Sequence, residues 1–106
     1  MNLNMSFRHM DSSEAIKHYT TEKSDKLKKF FNGQINVTWN FSVEKLDHVA
    51  HCHLVGNAMD YFGEASTGDM HSSIDQAVEK IEKQIRKHKE ITKDHLHKNA
   101  NRSTPV

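Results

Sequence analysis

A chain of 106 residues, 35% hydrophobic and 27% charged, suits one domain with a thin core and leaves no room for two independent cores. No stretch reaches the ~20 consecutive apolar residues that span a membrane. The segment Met1 to Met10 lacks the apolar centre of a signal peptide, so the expected location is the cytoplasm. The single cysteine excludes an internal disulfide, and the formal net charge of +1, taken alone, argues against a nucleic-acid partner.

Leu3, Met5 and Phe7 alternate with polar residues and predict a short first strand over residues 2–8. Asp11 followed by Glu14 resembles a capping arrangement and predicts a helix from about residue 12 to 30. Ala15, Ile16, Tyr19, Leu27 and Phe30 form its apolar stripe, and Asn32-Gly33 is the expected C-terminal stop. Ile35, Val37, Trp39, Phe41 and Val43 then alternate without interruption with polar residues, the pattern of a strand with one buried face.

Lys45 to Asp47 turn the chain into a strand over 48–56, with Ala50, Cys52 and Leu54 facing inward. Cys52 is thus expected to be a buried, inert thiol. Gly56-Asn57 makes a second turn, and residues 59–66 give a weaker strand through Met59, Tyr61, Gly63 and Ala65. Asp69 is a good N-cap for a final helix reaching about residue 97, with Ile74, Val78, Ile81 and Ile85 on its apolar stripe and Ala77 beside them. The predicted fold is α+β, in the order β-α-β-β-β-α. A four-stranded sheet with both helices on one face satisfies every apolar stripe. Residues 1–98 form the domain, and the polar segment 99–106 is expected to be a disordered tail.

The charges separate along these elements. The two helical segments sum to +4 and the strand region 34–68 to −3. Advancing about 100° per residue, Lys80, Lys83 and Lys87 share a stripe roughly opposite the apolar one. Arg86, Lys89 and Lys93 form a second, interleaved with Glu79 and Glu82. The first stripe suits phosphate contact, because each phosphate neutralised releases condensed counterions. The competing reading is a solvated helix face, supported by the i,i+4 pairs Glu79–Lys83 and Glu22–Lys26. Lys23 falls on the apolar stripe of the first helix, either snorkelling over the core or held by its neighbours and aimed at a partner.

Four segments in register carry a resemblance to a known family: FRHMDSSEAI at 7–16, KSDKLKKFF at 23–31, GDMHSSID at 68–75 and KIEKQIRKHK at 80–89. With the β-α-β-β-β-α order, the chain resembles the ribosome hibernation promoting factors, which include the ribosome-associated translation inhibitor of stressed bacteria. The resemblance covers about residues 1–97. It implies a non-enzymatic protein of the stress response and stationary phase. Such a protein binds the small ribosomal subunit and its rRNA between head and body, overlapping the paths of messenger RNA and of transfer RNA in the A and P sites.

The residues this implies for RNA binding are Lys23, Lys26, Lys80, Lys83, Lys87, His88 and Lys89, with Arg86 added from its neighbourhood. Lys23 and Lys26 are expected to converge with Lys80, Lys83, Lys87 and Lys89 between the two helices. Asp69, Ile74 and Asp75 match family positions with structural roles. Phe7 stands where many members have glycine, and Ser24 where an apolar residue is common. The dimerising domain of long-form members is not seen, so a short form is expected, and pairing of ribosomes would need a second factor. No cofactor, small-molecule substrate, DNA or membrane partner is implied.

Other classes fit less well. His48, His51 and His53 invite a metal, but a zinc site wants three or four well-placed ligands and Cys52 points the other way, so surface histidines are expected. There is no glycine-rich phosphate loop and no pair of acids in a predicted cleft. The remaining alternative is a general double-stranded-RNA-binding module, which combines helices with a three-stranded sheet and reads A-form shape.

Overall fold

The computed structural model of the chain describes residues 1–101, with side chains through residue 88. The elements are β1 (Asn2–Arg8), α1 (Glu14–Lys28), β2 (Asn36–Glu44), β3 (Asp47–Gly56), β4 (Met59–Thr67) and α2 (Met70–Asn101). This is the expected α+β order, with a mixed four-stranded sheet in the order β1-β2-β3-β4. α2 runs past its expected end near residue 97. Of the expected tail, residues 102–106 lie outside the described residues.

β1 pairs parallel with β2, which requires the α1 crossover, while β2–β3 and β3–β4 are antiparallel hairpins. Register places Leu3 beside Val37, Met5 beside Trp39 and Phe7 beside Phe41, so the apolar residues of both strands share one face. That face holds the core. Trp39, Phe41, Leu54 and Cys52 meet Leu27 of α1 and Ile74, Ile81 and Ile85 of α2 in one buried cluster. Phe7 stacks on Phe41 at 5.1 Å, which gives this bulky strand residue a partner. Cys52 is fully buried, and burial pushes its thiol pKa far up, so it is inert as expected.

Three local expectations are corrected. The N-cap of α1 is Ser13, whose Oγ accepts from the Ile16 backbone N–H at 3.3 Å; Asp11 stands too far upstream to reach the first free amides. α1 ends at Lys28 with tightened bonds from Phe30 N to Leu27 O and from Phe31 N to Lys28 O, and Gly33 has an ordinary negative φ. Ala15 is exposed and not on the buried stripe.

The two hairpins are tight. Asn57 and Ala58 both have positive φ, 53° and 63°, as a type I′ two-residue turn requires, and at Lys45-Leu46 only Lys45 does, with φ 59°. Gly63 matters for a different reason. A Cβ there would collide with the Ala77 carbonyl oxygen of α2, so the missing side chain is what lets α2 lie close on β4.

Candidate nucleic-acid interface

The helices lie side by side on the sheet and run parallel. Tyr19 of α1 meets His71 and Asp75 of α2, and Phe30, eleven residues on, meets Arg86. The groove between them is lined by Lys23, Lys26, Asp75, Val78, Glu79 and Glu82, with a volume near 250 Å³. Asp75 organises it. Its Oδ1 accepts from Tyr19 OH at 2.6 Å and pairs with Lys23 Nζ at 3.3 Å, while the lysine amine lies 5.3 Å from the Tyr19 ring centre. Burial opposes the Lys23 charge, but the Asp75 carboxylate outweighs it, and the lysine pKa is raised. The same carboxylate, as hydrogen-bond acceptor, raises the pKa of Tyr19. Lys23 is therefore held by packed neighbours, with its side chain 26% exposed.

The expected convergence of the cations between the helices is corrected. Lys80 lies on the other flank of α2, where its Nζ donates to the Glu64 backbone carbonyl at the β4 edge. His88 also turns toward the sheet, its Nδ1 3.3 Å from the Tyr61 hydroxyl. Arg86 faces α1, its guanidinium 5.8 Å from the Phe30 ring centre. The reason is angular: residues 80 and 86 differ by six positions, or roughly 240° around the helix at about 100° per residue. The Lys89 side chain lies outside the described residues.

Lys83 and Lys87 follow Lys80 at helical spacing and are exposed. Among the described residues no carboxylate pairs with either, nor with Lys26, Lys28, Lys29 or Arg86. Neither i,i+4 pair read from the sequence closes, and Glu22 pairs with His18 at 3.2 Å. The outer ridge of α2 thus presents amines with no described acidic partner, which is the condition for phosphate contact.

Several residues that shape these surfaces gave little signal in the sequence. Ser24 is buried and its Oγ accepts from Trp39 Nε1 at 3.0 Å, so the buried hydroxyl has a donor to satisfy. Gln84 clamps the β4 edge, accepting from Phe62 N at 3.2 Å and donating to Phe62 O. Together with Lys80 it covers backbone groups that an edge strand otherwise leaves open. Phe62 itself is 51% exposed on the open face of the sheet. His51 and His53 share that face, and His53 Nε2 is 2.8 Å from Asp60 Oδ1. Among the described residues no group of three or more His, Cys, Asp or Glu side chains is placed to hold a metal ion, and no helix is long and apolar enough to cross a membrane.

The mixed four-stranded sheet in β-α-β-β-β-α order is a fold seen in solved structures. The Thermus thermophilus Protein Y N-terminal domain matches with a TM-score of 0.78 at 21% identity, covering 83% of this chain and 99% of that one. A ribosomal subunit interface protein from Coxiella burnetii matches with a TM-score of 0.73 at 22% identity, covering 84% and 98%. Residues 3–93 match the family described as sigma 54 modulation protein / S30EA ribosomal protein, and this chain belongs to that family, the family of the ribosome hibernation promoting factors. The Escherichia coli K12 ribosome hibernation promoting factor is 30% identical over 95 residues, covering 90% of this chain and all of the relative. The factor of Azotobacter vinelandii is 30% identical over 90 residues, covering 85% of this chain and 84% of its own length.

Proposed function

We propose that this protein is a ribosome-associated hibernation factor that acts by binding and not by catalysis. It occupies the small ribosomal subunit in the channel of messenger and transfer RNA, blocks translation there, and keeps inactive ribosomes intact in the cytoplasm under stress and in stationary phase. The observation that carries this reading is a family match over residues 3–93, on a domain whose outer helix ridge bears amines with no described acidic partner.

In this reading Lys83 and Lys87 contact rRNA phosphates directly and Lys80 and Arg86 flank them, while His88, on the sheet side of α2, and Lys89 are RNA contacts apart from the ridge. Lys23 and Lys26 form a second, weaker contact at the groove mouth, because Asp75, Glu79 and Glu82 share that groove. Gradient sedimentation tests the proposal: the protein should travel with small subunits and whole ribosomes at low salt, leave them as salt rises, and be displaced by messenger RNA with transfer RNA. Absence from every ribosomal fraction at low salt refutes it. Strong preference for free duplex RNA over ribosomes would instead indicate a general double-stranded-RNA module.

A further inference from the structure

The face of the sheet turned away from the helices has a chemistry of its own. None of its four strands contains a lysine. On β1 and β2 it presents polar side chains, in which Asn2 Nδ2 donates to Asn36 Oδ1 and Ser6 Oγ donates to Asn40 Oδ1, and which end in the charged Arg8 and Glu44. On β3 and β4 the chemistry becomes aromatic. His53 and Phe62 are cross-strand partners whose rings stack at 4.3 Å with only 3° between their planes. The His51 ring is centred 6.3 Å from the same ring and tilted by 45° to it. A ring that is 51% exposed and already aligned with an imidazole is held in one orientation, so ordering it costs little on binding.

Beside Phe62 the β4 edge carries a depression of about 550 Å³, whose rim includes His51, Glu64, Ser66 and Lys80. Lys80 spends one of its three N–H donors on the Glu64 carbonyl and keeps two. The amine thus stands at the lip of an aromatic surface, at the start of the stripe that continues through Lys83 and Lys87. The arrangement combines a flat ring for stacking, a carboxylate able to accept from a base amino group and a cation for the adjoining phosphate. A four-stranded sheet backed by two helices is also a known geometry for receiving unpaired bases on aromatic side chains.

We propose that the Phe62–His53 surface at the β4 edge is a stacking site for an unpaired RNA nucleotide. Its base lies on Phe62 and its phosphate on Lys80. The inference rests on the ribosomal reading above for the identity of the polymer, and it adds a contact that recognises a base where the α2 ridge recognises only charge. Asp60 does not oppose it, since its carboxylate is engaged by His53.

The test uses the full chain with two fluorescent eight-nucleotide probes, an oligocytidylate and an abasic oligomer with the same phosphates, read by anisotropy. Phe62→Ala is expected to weaken oligocytidylate binding about tenfold, as loss of one stacked base does, to leave the abasic probe unchanged, and to keep the salt dependence. Phe62→Trp should restore binding. Lys83→Glu/Lys87→Glu should weaken both probes and ribosome co-sedimentation.

Equal binding of oligocytidylate by wild type and Phe62→Ala overturns the stacking site. If Lys83→Glu/Lys87→Glu still abolishes co-sedimentation in that case, the ribosomal reading stands without it. Failure of both variants to change anything overturns both. Loss of ribosome binding by Phe62→Ala with oligocytidylate binding intact assigns the surface to a protein partner and also overturns the proposal.

Discussion

The inter-helix groove and the outer ridge of α2 are built from the same residue types, yet they use them in opposite ways. In the groove Lys23 is tied to Asp75 and covers Tyr19, and Lys26 shares its walls with Glu79 and Glu82. Further around the same helix, Lys83 and Lys87 are exposed and paired with no carboxylate among the described residues. A lysine that already has a carboxylate partner releases little extra free energy on meeting a phosphate, because the old pair must be broken first. An unpaired one gains the full counterion release. The groove is therefore mainly a strap holding α1 to α2, and the proposed function assigns the ribosome contact to the ridge.

Four perturbations separate these roles. The largest expected effect is on the ridge: Lys83→Glu/Lys87→Glu should lower ribosome affinity about a hundredfold at low salt, following the loss of two phosphate contacts. Its unfolding midpoint should stay within about 0.5 kcal/mol of wild type, since both side chains are exposed. Next comes the core beneath the groove. Ser24→Ala leaves the buried Trp39 indole N–H without an acceptor and should cost about 2 kcal/mol in denaturant unfolding.

Asp75→Ala removes the partner of both Lys23 and Tyr19. It should cost about 1 kcal/mol, the ion-pair share being small for half-exposed groups. Ribosome binding should survive this change, and an Asp75→Ala protein that no longer binds would show the groove to be more than a strap.

The smallest effect is electrostatic and lies at the start of α2. Hydrogen bonding from the Ser72 backbone N–H holds the Asp69 carboxyl below its ordinary 3.8. A depressed carboxyl adds stability that is fully present above about pH 4 and is lost as pH falls through the folded value. Asp69→Asn keeps a capping side chain but not the titration, so its melting temperature should fall less than wild type between pH 5 and pH 2.5.

Much of this was legible in the sequence because it is periodic. The alternation from Ile35 to Val43 gave β2 and its buried face, and the spacing of Ile74, Val78, Ile81 and Ile85 gave the packed face of α2. The parallel pairing of β1 with β2 was not legible, since alternation carries no direction. The capping error has a similar source: Asp11 and Ser13 are both good caps, and only the position of the first free amide, at Ile16, decides between them. The candidate site failed in one respect. Helical angle places Lys80 and Arg86 on different flanks of α2, but only the packed structure shows which flank meets α1 and which meets β4. Contacts between residues far apart in the chain, such as Ser24 with Trp39 or Gln84 with Phe62, leave no local pattern at all.

The central claim is that the ridge, and not the groove, carries the charge-driven contact with the ribosome. Its most direct test is co-sedimentation with small subunits across a salt series for wild type, Lys83→Glu/Lys87→Glu and Asp75→Ala. The expected result is a plot of log affinity against log salt that loses about two units of slope in the ridge variant, roughly one per lysine, and keeps the wild-type slope in Asp75→Ala. A ridge variant with the wild-type slope, or an Asp75→Ala protein that loses it, would contradict the account.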